Sequence, residues 1–228
     1  MPKAEEVKPA PSAEQPSSVE RVASWLRHKI YDGEFTPGQR LIEAELTEQF
    51  SVGRSTIREV IRRLTAEGLI ETRHHYGARV RRFTRADVTS IYQVRQVIEG
   101  LAVRLTTHHL SENGRTSLRG LSDELSAAKS KGDIKRYIEL NGDLHDFFVD
   151  ESGNPFIAEI AARLNTRILR LQFKQVFDLD NIAISHADHC AILNAVLRGD
   201  AYDAELLMRA HIGRSQQQIE SYDDSFFQ

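Results

Sequence analysis

The hydrophobic period of the chain changes twice, and that change limits the possible folds more than anything in its composition. Over residues 18–66 apolar side chains recur at helical spacing in three short runs. Val22, Trp25, Leu26 and Ile30 mark the first run. Leu46 and Phe50 face inward on the second, "IEAELTEQF" (42–50), and Ile57, Val60, Ile61 and Leu64 mark the third. "DGEFTPG" (32–38) breaks the first helix, and "SVG" (51–53) reads as a tight turn before a third helix that Ser55 can cap. Past Gly68 the period shortens: "LIETR" and "ARVRR" flank "HHYG", where Gly77 can take the positive φ of a turn. Three short helices followed by a two-stranded hairpin form a helix-turn-helix with a wing, expected over 18–82.

From Thr84 onward the helical period returns and stays. Thr84 with Asp87 offers a cap, as Ser17 with Glu20 does for the first helix. Stripes run through about 85–109, 112–130, 133–152, 155–176, 181–198 and 200–222, with Gly132-Asp133, Gly153-Asn154-Pro155 and Gly199-Asp200 between some of them. These spacings predict an all-α antiparallel bundle of about six helices over 84–222, so the chain as a whole is expected to be mainly α. Residues 1–17 hold four of the six prolines and are expected to be a disordered tail. No apolar run approaches the roughly 18 residues a membrane helix needs. No secretory signal is expected, and the single cysteine, Cys190, excludes a disulfide framework, so a reducing cytoplasm is the expected setting.

Charge is uneven along this frame. Residues 18–82 carry 12 Lys/Arg against 9 Asp/Glu, whereas 83–228 carry 16 against 21. A basic front on an acidic body suits a polyanionic partner. On the third helix Arg54, Arg58 and Arg62 lie four apart, away from the apolar stripe, with Ser55 and Thr56 at the leading end. Arg reads guanine bidentately, and Ser or Thr reaches phosphate or base edges, so this face suits the major groove of double-stranded DNA. Arg40, Arg73, His74, His75 and Gly77 complete the expected DNA-facing set, the last four around the wing tip.

Pro37-Gly38, Leu41, Val52-Gly53-Arg54-Ser55-Thr56, Arg58-Glu59, Glu67-Gly68-Leu69 and Gly77 together resemble the winged helix-turn-helix of GntR-type bacterial transcription regulators. "YQVRQVIEGLAVRL", "HDFFVDESGNP", "HADHCAILNAVLRGD" and "MRAHI" resemble the ligand-binding domain of the FadR-like branch, called FCD. The likeness covers about 19–222 and implies a ligand-responsive DNA-binding regulator. Two positions depart from the pattern: Ala44 stands where a basic residue is usual, and Gly53 where a serine is usual.

Nine histidines remain to be sorted. His145 shares a helical face with Ile138, Asn141, Phe148 and Val149; His189 with Ile182, Leu193 and Val196; His211 lies near Leu207 and Met208. Three separate helices thus aim one imidazole each at the bundle interior. They are either satisfied polar core residues or ligands of one shared divalent ion, with Asn141 a weaker fourth donor. Nitrogen and amide oxygen suit Zn, Ni, Mn or Fe without choosing among them. The resemblance favours the metal, since many FCD domains bind one through this arrangement, usually with Asp at the Asn141 position. His28, His108, His109 and His186 read as surface or helix-end residues, and Cys190 should point away from His189.

Arg95 falls on the stripe of Val88, Tyr92 and Ala102. It is either an i,i+4 partner of Glu99 or the anchor of a small carboxylate effector. The combined expectation is a homodimeric, metabolite-responsive regulator, with repression the favoured mode, acting on a palindromic operator. A metal-dependent helical-bundle hydrolase with a basic module is the rival, though neither a nucleophile motif nor a general-base spacing accompanies the histidines. A purely architectural DNA binder would leave the buried histidines and Arg95 unexplained.

Overall fold

The computed structural model describes residues 16–73, 77–164, 166–173 and 178–227. Helix α1 (Ser18–Tyr31) starts where the Ser17 hydroxyl accepts from the Glu20 backbone N–H at 3.2 Å. Strand β1 (Arg40–Leu41) leads into α2 (Glu43–Phe50), and α3 (Arg54–Ala66) follows. Val22, Leu26 and Ile30 of α1 pack against Ile57, Val60 and Leu64 of α3, all fully buried. Each such side chain contributes about 1.5–3 kcal/mol by leaving water. A bidentate pair from Arg27 to Glu67, 2.9 Å on each arm, ties α1 to the C-terminal end of α3. Trp25 meets Phe50 edge-on at 4.9 Å, which seats α2.

The local detail of the turn differs from the sequence expectation. Ser51 supplies the left-handed backbone (φ +50°) that closes α2. Extended Gly53 is the N-cap of α3, without a side-chain cap, so Ser55 lies inside the first turn and does not cap it. The wing also gains a strand. β2 (Ile70–Arg73) pairs antiparallel with β3 (Gly77–Val80) as expected, but β1 adds to the other side of β3. The sheet is therefore three-stranded, in the order β1-β3-β2. A two-residue strand has no period of its own to read, so only its partner reveals it. Gly77 takes φ +75° at the wing turn, as expected.

Thr84 and Asp87 form a complete capping box at the head of α4 (Arg85–His109), the long helix of the second domain. Helices α5 (Glu112–Ser130), α6 (Ile134–Glu151), α7 (Pro155–Arg163), α8 (Thr166–Phe173), α9 (Leu179–Arg198) and α10 (Ala201–Glu220) follow. The expected single helix over 155–176 is two. The stripe keeps phase across the break (Ile157, Ala161, Leu164, Ile168), so periodicity alone could not show it. The two pieces serve different neighbours. Ile157 and Ala161 pack with Ala102 and Val149 in a small cluster against α4 and α6, whereas Ile168, Leu169 and Phe173 enter the main core. Helix α10 runs antiparallel along α4, as the pairs Thr89–Glu220, Gln96–Gln216 and Arg104–Glu205 show. The mainly helical two-domain architecture expected from sequence is thus present.

The junction is polar and closely tied. Phe83 is fully buried, and the Gln172 side chain accepts from its N–H and donates to its carbonyl, both at 2.8 Å. The same amide donates to the Phe226 carbonyl at 2.8 Å, and Arg82 donates to the Ser225 carbonyl at 2.7 Å. Helix α8 also lies against α1, so it touches both domains. The tail expected over 1–17 falls, save for Pro16 and Ser17, outside the described residues.

Candidate metal centre and nucleic-acid interface

Helix α3 presents a face as well as a core. Arg54, Ser55 and Arg58 are exposed and Thr56 is half-buried, while Ile57, Val60, Ile61 and Leu64 hold the helix from behind. Arg58 Nε lies 3.4 Å from Glu43 of α2, and Arg62 pairs with Glu59 on its own helix at 2.6 Å. Arg54 makes no ion pair to any described residue, so it is the least committed cation of the three. Exposed Arg40 on β1 places its guanidinium beside the wing turn, where a Cβ on Gly77 would lie 3.9 Å from it. Arg40 and the wing residue Gly77 thus lie side by side. His74 and His75 lie outside the described residues, and Arg73 is placed only as the last residue of β2, paired in register with Gly77.

The second centre is buried. His145 (α6), His189 (α9) and His211 (α10) are each under 5% exposed and bring one ring nitrogen apiece within 4.8 Å of one another. His189 Nε2 and His211 Nε2 are 3.2 Å apart. Two nitrogens bound to one ion at about 2.1 Å each stand roughly 3 Å apart, so this spacing suits a shared cation. The outward nitrogens are also held. His145 Nδ1 lies 2.6 Å from Glu99 Oε2 and His211 Nδ1 lies 3.2 Å from Asp188 Oδ2. A carboxylate only accepts, so both Nδ1 atoms carry a proton, and in the neutral ring this leaves the lone pair on Nε2. The Tyr137 hydroxyl lies 3.3 Å from His189 Nδ1. Arg214 fixes Asp188 in turn, with Nε at 2.9 Å.

Burial first, and then the neighbouring imidazoles, push His189 well below the usual histidine range. Burial pushes His211 down to about 4, against the opposing pull of Asp188. Both are therefore neutral donors at pH 7, the state that binds a divalent ion. Asn141, one turn before His145, lines a small cavity of about 60 Å³ with His145 and His211. Imidazole and amide donors without thiolate suit the borderline divalent ions named from sequence.

Arg95 does not stand free. Its Nε donates to Glu99 Oε1 at 2.5 Å, and Glu99 passes its other oxygen to His145, forming a buried Arg–Glu–His chain. Burial alone would raise the Glu99 carboxyl, but Arg95 and His145 hold it far below the usual carboxylate range. The i,i+4 pairing weighed from sequence is therefore present, and Arg95 serves the histidine cluster from behind.

A larger cavity of about 320 Å³ lies on the other side of Arg95 and His145, reaching Tyr31 of α1. Arg170 of α8 lines both cavities. Sequence reading passed over it, because nothing in the spacing of "TRILRLQF" separates Arg170 from its neighbouring arginines. Tyr137 and Asp188 were passed over too, since their roles depend on which helices cross. Among the other histidines, His28 pairs with Asp32 at an exposed end, and His108 and His109 are exposed. His186 is not at the surface as expected. It is half-buried between α9 and α5, with Nε2 3.6 Å from Cys190 Sγ and 3.5 Å from Ser126 Oγ. Cys190 takes no part in the histidine cluster.

A winged helix-turn-helix joined to a helical domain with a histidine-lined cavity defines a class of regulator, and comparison with known proteins agrees. Residues 18–80 match the bacterial regulatory proteins of the gntR family, and residues 90–214 match the FCD domain. The chain belongs to the FCD family of GntR-type transcription regulators. It is 33% identical over 144 residues to YdhC, an uncharacterized HTH-type transcriptional regulator of Bacillus subtilis, a match covering 63% of this chain and 64% of that one. It is 25% identical over 194 residues to a probable D-xylose utilization operon transcriptional repressor of Paenarthrobacter nicotinovorans, covering 84% of each. In fold it resembles a putative GntR regulator of Rhodococcus sp. RHA1, with a TM-score of 0.75 at 24% identity over 90% of this chain and 99% of that one. The matched families are regulators and not enzymes, which removes the hydrolase alternative. No helix among the described residues is long and apolar enough to cross a membrane.

Proposed function

We propose that the chain is a repressor whose helical domain, residues 84–222, senses a small carboxylate beside a divalent metal and thereby controls operator binding by residues 18–82. The observation that carries this reading is the arrangement of the three imidazoles, with Nε2 atoms inward and Nδ1 atoms held by an outer shell. Outer partners of this kind orient metal-binding histidines and set their tautomer. His145, His189 and His211 would hold the ion, with Asn141 as a fourth donor. A bound divalent ion would supply positive charge that attracts an anionic ligand, and these neutral donors do not offset it. Arg95 forms part of the cavity wall and keeps Glu99, hence His145, in place.

On the DNA side, Arg54, Ser55, Thr56 and Arg58 read the major groove. Arg40, Arg73, His74, His75 and Gly77 are the residues we assign to the flanking backbone or minor groove. A homodimer would set two such heads one helical turn apart, about 34 Å, on a palindromic operator. Val94 and Val97 of α4 and Phe156 and Ile160 of the adjoining α7 are exposed and offer apolar surface for a second copy to cover. The cytoplasm, where operator DNA lies, is the proposed location.

The test is a gel-shift series. Selection from a random duplex library identifies the operator, and metal-loaded protein is then challenged with small carboxylates. Release of the operator by one of them, lost on chelation, is the expected result. A protein that binds no duplex specifically would overturn the reading.

A further inference from the structure

One cation in the cavity region has N–H groups that no described residue accepts. Arg170 is half-buried on α8 and forms neither a hydrogen bond nor an ion pair with any described residue. Its neighbour Arg95 is already committed to Glu99. Asp146 and Asp150 share the larger cavity with Arg170, and Asp146 attracts it, but neither accepts a hydrogen bond from it. Burial, followed by the charge of Arg95, pushes the Arg170 guanidinium below its usual range. The fold nonetheless makes room for this group. Gly142 lies under it, and a Cβ there would come within 3.1 Å of Nη2 and 3.3 Å of Cζ. Guanidinium N–H groups turned from water without acceptors are costly unless a ligand supplies them.

We propose that Arg170, rather than Arg95, grips the carboxylate of the ligand at the wall common to the two cavities, beside His145. The planar fork of Arg170 offers two parallel N–H donors, which a carboxylate accepts side by side. This inference rests on the carboxylate-sensing reading above and adds the residue that selects the ligand. The position has a second consequence. Gln172, two residues along α8, holds the interdomain linker at Phe83, and Tyr31 of the DNA-reading domain lines the larger cavity. Occupancy of Arg170 therefore acts on the helix that ties the two domains together.

The test is calorimetric titration of the zinc-loaded full chain with lactate and with citrate, carboxylates of two sizes. Arg170→Gln and Gly142→Ala are titrated in parallel, with zinc content and unfolding midpoint measured for each. Wild type is expected to bind at least one carboxylate, and both variants to bind it about tenfold or more weakly with zinc retained. If Arg170→Gln does not fold, Gly142→Ala decides, because its methyl moves the guanidinium a few tenths of an ångström off its position without removing it. Equal affinity in wild type and in the folded variants would overturn the role of Arg170 alone. A wild type that binds neither carboxylate would overturn the sensing reading and this inference with it. Inorganic phosphate binding as tightly as the carboxylate at equal ionic strength would overturn the selectivity claimed for the fork.

Discussion

The arginines of α3 and the arginines around the histidine cluster carry the same charge in opposite surroundings. Arg54, Arg58 and Arg62 stand in water, where an ion pair such as Arg58–Glu43 is screened and contributes little. Arg95 is 5% exposed, and its partner Glu99 is 7% exposed. There the same kind of pair cannot be broken without leaving a buried charge alone. The outer arginines are thus available to a partner at small cost to the fold, while Arg95 is part of the fold itself. Arg170 lies between these cases, half-buried and without a hydrogen bond to any described residue.

The comparison is broken most directly by substitution at Arg95. Arg95→Leu is expected to cost about 3–5 kcal/mol of stability, because Glu99 loses its guanidinium. Urea unfolding measures it, and a cost below 1 kcal/mol would place Arg95 with the surface arginines.

Acid should act on the buried region in the same direction. His189 and His211 are neutral in the folded state and have depressed folded pKa values. Between the unfolded value near 6.5 and the folded value of about 4 for His211, the unfolded chain binds protons that the native one does not. Stability of the metal-free protein therefore falls as pH drops through that window, by about 1.4 kcal/mol per unit for a single such group. Urea midpoints at several pH values, set against a His189→Gln/His211→Gln double variant, isolate the effect. Parallel pH profiles would contradict it.

Arg54→Ala and Arg58→Ala should leave the urea midpoint unchanged and cost about 1–3 kcal/mol of operator affinity each if they read bases. Unchanged affinity in both would remove α3 as the reading helix. The smallest effect is expected at the wing. Arg73→Ala should weaken specific and non-specific DNA alike and lower the salt slope by about one. A loss confined to one base pair of the operator would instead make Arg73 a base reader.

Features set by local rules could be read from the sequence. The stripes of α1 and α3, the Thr84–Asp87 box and the positive φ of Gly77 each depend on residues a few positions apart. The same holds for the inward faces of His145, His189 and His211, which sequence spacing placed on three helices. Their convergence depends on how those helices cross, and their outer partners come from 52 and 23 residues away, as Tyr137 to His189 and Asp188 to His211 show. Strand β1 was invisible because two residues carry no period. The break between α7 and α8 was hidden because the apolar stripe passes through it in phase. Arg170 could not be told from any other helical arginine until the cavity around it was seen.

The central claim is that the three buried imidazoles exist to hold an ion. Elemental analysis of the purified full chain, beside His189→Ala prepared in the same way, tests it most directly. The account predicts about one divalent metal per chain in wild type and nearly none in the variant, with the variant still folded. A metal-free wild type that takes up no zinc, nickel, manganese or iron on dialysis, yet still releases its operator in response to a carboxylate, would show the histidines to be polar core residues and contradict the account.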